Sequence, residues 1–195
     1  DAITPAGDAT VITANDTRLD ADTDYTVLAI GKVAGSTLAP LVLANPDTAV
    51  TSGQARAQVV HAAPDAPAVS VYVTAPGASL ADATALGTFS FGEDLGPVEV
   101  PGGNYQIRVT LAGNPAVVVY DAGTVALPAG ADLLLIAVAN TTTGPAPITL
   151  LVNDGTTQAE LLDVATTADV RAGHLSPDAG LEGDLQTNRP GAWLQ

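Results

Sequence analysis

The side chains best suited to chemistry are two histidines, His61 and His174, and three carboxylates at alternate positions, Asp20, Asp22 and Asp24. An imidazole becomes the base of a nucleophilic triad only beside a serine, an orienting acid and an oxyanion hole. Both histidines occupy the same slot of a repeated motif. Ser176 stands close to His174, but the matching position near His61 is Ala63. No G-x-S-x-G elbow is present. A nucleophile missing from one copy of its motif is a poor nucleophile, and the chain reads as non-catalytic. Asp20-Ala-Asp-Thr-Asp24 offers hard oxygen ligands of the kind Ca²⁺ favours. The glycine and distal glutamate of an EF-hand loop are absent, and the matching place later in the chain, Pro128 to Asp132, keeps only the last acid. The competing reading is an acidic turn in an acidic protein, and no other cofactor is indicated. Glycosidase carboxylates usually stand beside aromatic platforms, and the chain has one tryptophan, Trp193. It reads either as an interface anchor or as part of an unanchored terminus.

The totals narrow the function further. With 21 acidic residues against 6 basic ones the net charge is -15, and Lys32 is the sole lysine. Nucleic-acid binding needs a basic face and is disfavoured. No apolar run approaches the roughly 20 residues of a membrane-spanning helix. Salt screens the self-repulsion of so acidic a chain. The composition therefore fits a halophilic secreted protein; a GC-rich genome enriching Ala, Gly, Asp and Val gives the same signature. Cysteine is absent, which excludes disulfides and zinc-thiolate sites. Methionine is absent even at position 1. That start matches a removed signal peptide or a piece of a longer protein, and a secreted, cell-surface location is expected.

The elements that must carry these residues repeat. Val59-Val-His-Ala-Ala-Pro-Asp-Ala66 recurs as Ala172-Gly-His-Leu-Ser-Pro-Asp-Ala179, so that His174 matches His61. Asp24-Tyr-Thr-Val-Leu-Ala-Ile30 recurs as Asp132-Leu-Leu-Leu-Ile-Ala-Val138, so that Asp132 matches Asp24. The period is a whole domain, too long for a solenoid. Residues 55–168 make one complete copy. Residues 1–54 match only the second half of a copy. Residues 169–195 hold the start of a further copy, to about 180, and an atypical tail.

At these residues the chain resembles the domain-of-unknown-function family numbered 4397. His61-Ala-Ala-Pro-Asp-Ala-Pro67 with Val69-Ser-Val-Tyr-Val73 is similar to that family's opening. Pro101-Gly-Gly-Asn-Tyr-Gln-Ile-Arg-Val109 and Asp24-Tyr-Thr-Val27 are similar to its later strands. The resemblance implies a secreted bacterial or archaeal β-sandwich, often in tandem, with no activity attached. Residues 181–195 depart from the pattern.

Periodicity independently predicts an all-β fold. Val69 to Val73 and Tyr105 to Val109 alternate, which places Gln106 and Arg108 on a wet face. Ala116 to Tyr120 and Leu133 to Val138 are continuously apolar and read as central strands. Turn residues intervene at Pro101-Gly-Gly-Asn104, Pro128-Ala-Gly-Ala131 and Asn153-Asp-Gly155. Ser79 to Leu86 is the best helical stretch, and only a short one. Short strands separated by regularly spaced turns predict an Ig-like antiparallel β-sandwich in tandem copies, one complete and one incomplete. In the H-x-x-P-D-A motif, Pro64 pre-sets a turn, Asp65 accepts its amides and His61 locks it; His174, Pro177 and Asp178 do the same in the second copy.

Half a sandwich exposes apolar faces and unpaired edges. Three readings follow. Flanking repeats of a longer protein complete it; or residues 169–180 complete it within the chain; or Val170, Ala172, His174 and Trp193 contact a second subunit, joining copies head to tail. The last predicts a structural filament or matrix built by strand addition. A monomeric adhesion module gripping an unidentified sugar or protein is the alternative.

Overall fold

The computed structural model describes residues 2–3, 10–12 and 19–167. Thirteen strands and no helix occur among them: β1 (Ala2–Ile3), β2 (Thr10–Ile12), β3 (Thr23–Ile30), β4 (Ala39–Pro46), β5 (Gln54–His61), β6 (Val69–Thr74), β7 (Gly87–Phe89), β8 (Asp94–Pro101), β9 (Gly103–Leu111), β10 (Asn114–Leu127), β11 (Asp132–Ala139), β12 (Ile148–Asn153) and β13 (Gln158–Leu161). Sheets of order β10-β9-β6-β7 and β13-β12-β11-β5-β8 face each other as a β-sandwich over residues 54–161. Two further two-stranded sheets, β1-β2 and β3-β4, precede it.

The core follows from the pleat. Successive side chains alternate faces, so Ala57 and Val59 of β5 and Leu135 and Ala137 of β11 meet Val71, Ile107 and Val109 of the other sheet. Each Val, Leu or Ile among them contributes about 1.5–3 kcal/mol when withdrawn from water, and each Ala about 0.8 kcal/mol. Tyr120 is fully buried and its hydroxyl donates to the Leu161 carbonyl at 2.7 Å, tying β10 to β13. Burial pushes that phenol well above its ordinary pKa. At the entry to β9 the Tyr105 hydroxyl donates to the Pro101 carbonyl at 2.7 Å, the geometry of a tyrosine corner.

Four expectations need correction. Ala116 to Tyr120 lies in β10, an edge strand rather than a central one, with Val117 and Val118 exposed. Pro115, which cannot donate to a ladder, sits within it, and proline inside a strand belongs at an edge. The fold is not wholly antiparallel: β5 and β11 run parallel, from Asp132 beside Arg56 to Ala137 beside His61. The whole opposite sheet intervenes in sequence, which is the long crossover parallel pairing requires. Gln106 and Arg108 are half-buried, because the loop after β6 folds back over them. The Arg108 guanidinium donates to Thr74 Oγ1 at 2.8 Å and to the Ala78 carbonyl at 2.6 Å. Ser79 to Leu86 makes turns rather than helix and seals this face with Leu80.

Candidate functional site

His61 ends β5 and is 1% exposed. Its Nε2 lies 3.2 Å from the Pro67 carbonyl oxygen, a hydrogen bond in the tautomer protonated there. Nδ1 is buried without a partner. The imidazole thus bridges the strand end to the far side of the turn at Pro64 and Asp65, which the Ala66 amide closes on the Ala63 carbonyl at 3.2 Å. Because the backbone closes the turn, the Asp65 carboxylate does not take up the role the sequence suggests for it as acceptor of the turn's amides. It faces outward and pairs with Lys32 in the loop joining β3 to β4.

Among the described residues no group of three or more acidic or histidine side chains, Asp20, Asp22 and Asp24 included, is arranged to hold a metal ion. Asp22 takes φ 55° at the turn into β3, and the Asp20 amide donates to the Tyr25 hydroxyl at 2.8 Å. Asp24 instead lines a cleft beneath the hairpin. Val170, Ala172, His174, Pro177, Asp178 and Trp193 lie outside the described residues.

The hairpin β3–β4 lies on the outer face of the five-stranded sheet. Register sets Asp24, Thr26, Leu28 and Ile30 on one face with Leu41, Leu43 and Asn45, and sets Tyr25, Val27 and Ala29 on the other with Val42 and Ala44. The first face is turned to the sandwich: Leu43 is 2% exposed, Ile30 is buried against Gly92, and Asn45 Nδ2 donates to Gln58 Oε1 at 2.6 Å. The second face is open at its centre, with Val27 62% and Val42 40% exposed and directly paired, while Tyr25 at its end is half-buried and borders the cleft.

This open face has a counterpart. Tyr25, Val27 and Ala29 correspond in the repeat to Leu133, Leu135 and Ala137 of β11, which pack in or against the core. β11 has β12 on one side and β5 on the other, whereas β3 has only β4 among the described residues. The hairpin therefore presents to solvent the face that its twin buries, beside an edge that its twin fills.

Between hairpin and sheet runs a cleft of about 420 Å³. Asp24, Thr26 and Leu28 form one wall, and Leu134, Ile136 and the stretch Asn153–Gly155 lie opposite. Its charged lining is Asp24, Asp132 and Asp154 against Arg56. Arg56 pairs with Asp132 and donates to the Thr48 carbonyl at 2.8 Å, and the Asp132 bond raises its pKa. The Asp154 carboxyl is held well below the usual carboxylate range by the amides of Thr157 and Thr156 and by their hydroxyls. The sequence predicts exposed apolar faces and unpaired edges in residues 1–54 without locating them; the register, combined with the repeat correspondence of β3 with β11, assigns one such face to Val27 and Val42.

No curated protein and no solved structure matches the chain. One family does, in two adjacent stretches that close just past the two H-x-x-P-D-A motifs: by residues 2–72 and 76–181, the chain belongs to the family described as Domain of unknown function (DUF4397).

Proposed function

We propose that this chain is a non-catalytic, extracellular structural protein, a subunit of a cell-surface filament or matrix assembled by β-strand complementation. The observation that carries this reading is the open face of β3–β4, with Val27 and Val42 exposed beside an edge that is filled in β11. A monomer gains nothing from leaving such a face wet, and a free apolar edge is a template for another chain. The acidic composition suits a saline exterior, where screening lowers the repulsion between like-charged copies. Residues 169–195 carry the donor. Size-exclusion chromatography of the chain with and without them tests the reading: the whole chain is expected to run as concentration-dependent oligomers and the truncated one as a monomer. Identical monomeric elution of both refutes it.

A monomeric adhesion or ligand-binding module is the second reading. The cleft lined by Asp24, Arg56 and Asp154 favours it. It requires the whole chain to stay monomeric and to hold its ligand through that cleft.

A further inference from the structure

Resting on the assembly reading, we propose that the edge of β3 left unpaired among the described residues accepts residues 169–174 of a second copy of this chain as a strand parallel to β3, with Tyr25 beside Val170, Val27 beside Ala172 and Ala29 beside His174.

The register comes from the complete copy. There Asp132 to Ala137 of β11 stand beside Arg56 to His61 of β5 in parallel. In the repeat, Asp24 to Ala29 of β3 match Asp132 to Ala137, and Asp169 to His174 of the tail match Arg56 to His61. Replacing both partners by their matches sets Asp24 beside Asp169 and Ala29 beside His174. The face chemistry agrees. In this register Val170, Ala172 and His174 take the places of Ala57, Val59 and His61 in β5, whose side chains are turned to the core, so they would extend the apolar face of Tyr25, Val27 and Ala29 by one strand. The alternate set, Asp169, Arg171 and Gly173, turns to the cleft. Asp169 beside Asp24 is an unfavourable like-charge pair, but Arg171 brings a guanidinium to a lining with three carboxylates and one base.

Chain length excludes a parallel donor from the same chain. The Thr167 carbonyl accepts from Thr143 Oγ1 at 2.8 Å, so the chain departs from the loop between β11 and β12, where β11 ends. Asp24 lies at the other end, lining the cleft with Asp132, where β11 begins. The eight residues of β11 span about 23 Å at roughly 3.3 Å per residue. From Thr167 to Asp169 a chain reaches at most about 7 Å. A chain's own tail therefore cannot lie parallel beside its own β3, and a tail that did fill this edge internally would have to run antiparallel. A parallel donor from the next copy makes a head-to-tail contact that repeats without closing, which builds a filament.

The cysteine-free chain permits a direct test. A Val27→Cys protein is mixed with an Ala172→Cys protein and treated with a short bismaleimide. The expected result is a cross-linked heterodimer at twice the apparent mass on a denaturing gel, and a ladder from the double variant. Cross-linking within one chain of an Asp24→Cys/His174→Cys variant, which only the antiparallel arrangement brings together, overturns the proposal. So does preferential linkage of Ala172→Cys to Ala29→Cys over Val27→Cys, which shifts the register. Absence of the heterodimer from a protein that still sediments as oligomers overturns this acceptor and leaves the assembly reading standing. A protein monomeric at every concentration removes both. Both substituted positions are exposed or in the tail, and retention of a β-rich circular dichroism spectrum confirms that the variants fold.

Discussion

Replacing Val27 and Val42 together by threonine separates the stability of the molecule from its self-association. Both substitutions keep a β-branched side chain, so strand propensity is conserved. Both residues are exposed, at 62% and 40%, and substitutions at such positions change folding stability by roughly 0.5 kcal/mol or less. Thermal melts of the isolated chain should be unchanged within a few degrees. In an assembly that also packs a second layer of residues over this face, each threonine exchanges a methyl for a hydroxyl. The lost methyl transfer is about 0.8 kcal/mol at full burial, and scaling by the two exposures leaves about 0.8 kcal/mol for the pair. Two hydroxyls buried without partners add about 1 kcal/mol each. The total is about 3 kcal/mol, roughly a 100-fold weaker Kd at about 1.4 kcal/mol per decade. Sedimentation velocity over a concentration series reads this directly. An unchanged Kd means that the face stays wet in the assembly. A fall of many degrees in the monomer's Tm means that the face is already packed without a partner. Either result refutes the reasoning.

Two further outcomes follow from the geometry. His61→Ala empties a site that is 1% exposed and removes the Nε2 bond to Pro67, so it should cost about 2–4 kcal/mol and lower Tm by roughly 10 °C; a variant that melts like the parent would show that the imidazole does not hold the corner. Asp154 has a folded pKa below its unfolded one, so its stabilisation is complete above about pH 4 and is lost as pH falls toward the depressed folded value. The Tm difference between the parent and Asp154→Ala should accordingly hold steady at neutral pH and shrink below about pH 3, and a gap independent of pH would contradict the amide-capped carboxylate.

How far the residues could be read depended on what each signal measures. Alternation in Val69 to Val73 and the continuous run of β11 announced strands, because the pleat makes side-chain period local. The turn at Pro64 was legible for the same reason, since proline acts on its own φ. Burial of the opposite side of β6 was not: Ser70 and Tyr72 are 2% and 6% exposed, and the Ser70 hydroxyl meets Thr88 of β7 and the Gly113 amide, both well along the chain. The apolar run in β10 promised a central strand, yet hydrophobicity states only that a residue favours burial, not on which side a neighbouring strand stands. Pro115 carried the corrective signal. Asp65 was expected to bond its own turn and instead reached Lys32, in a different hairpin loop far earlier in the sequence.

The amino-acid sequence alone determined the all-β class, the family and the internal duplication, because each of these rests on local period, local turn chemistry or comparison of one stretch with another. Only the tertiary structure decided that β5 and β11 are parallel, that His61 bridges to Pro67, and that the hairpin turns toward solvent the face its twin buries. Pairing partners and face orientation are settled by contacts between residues tens of positions apart, and no local signal encodes which of several compatible strands will occupy an edge.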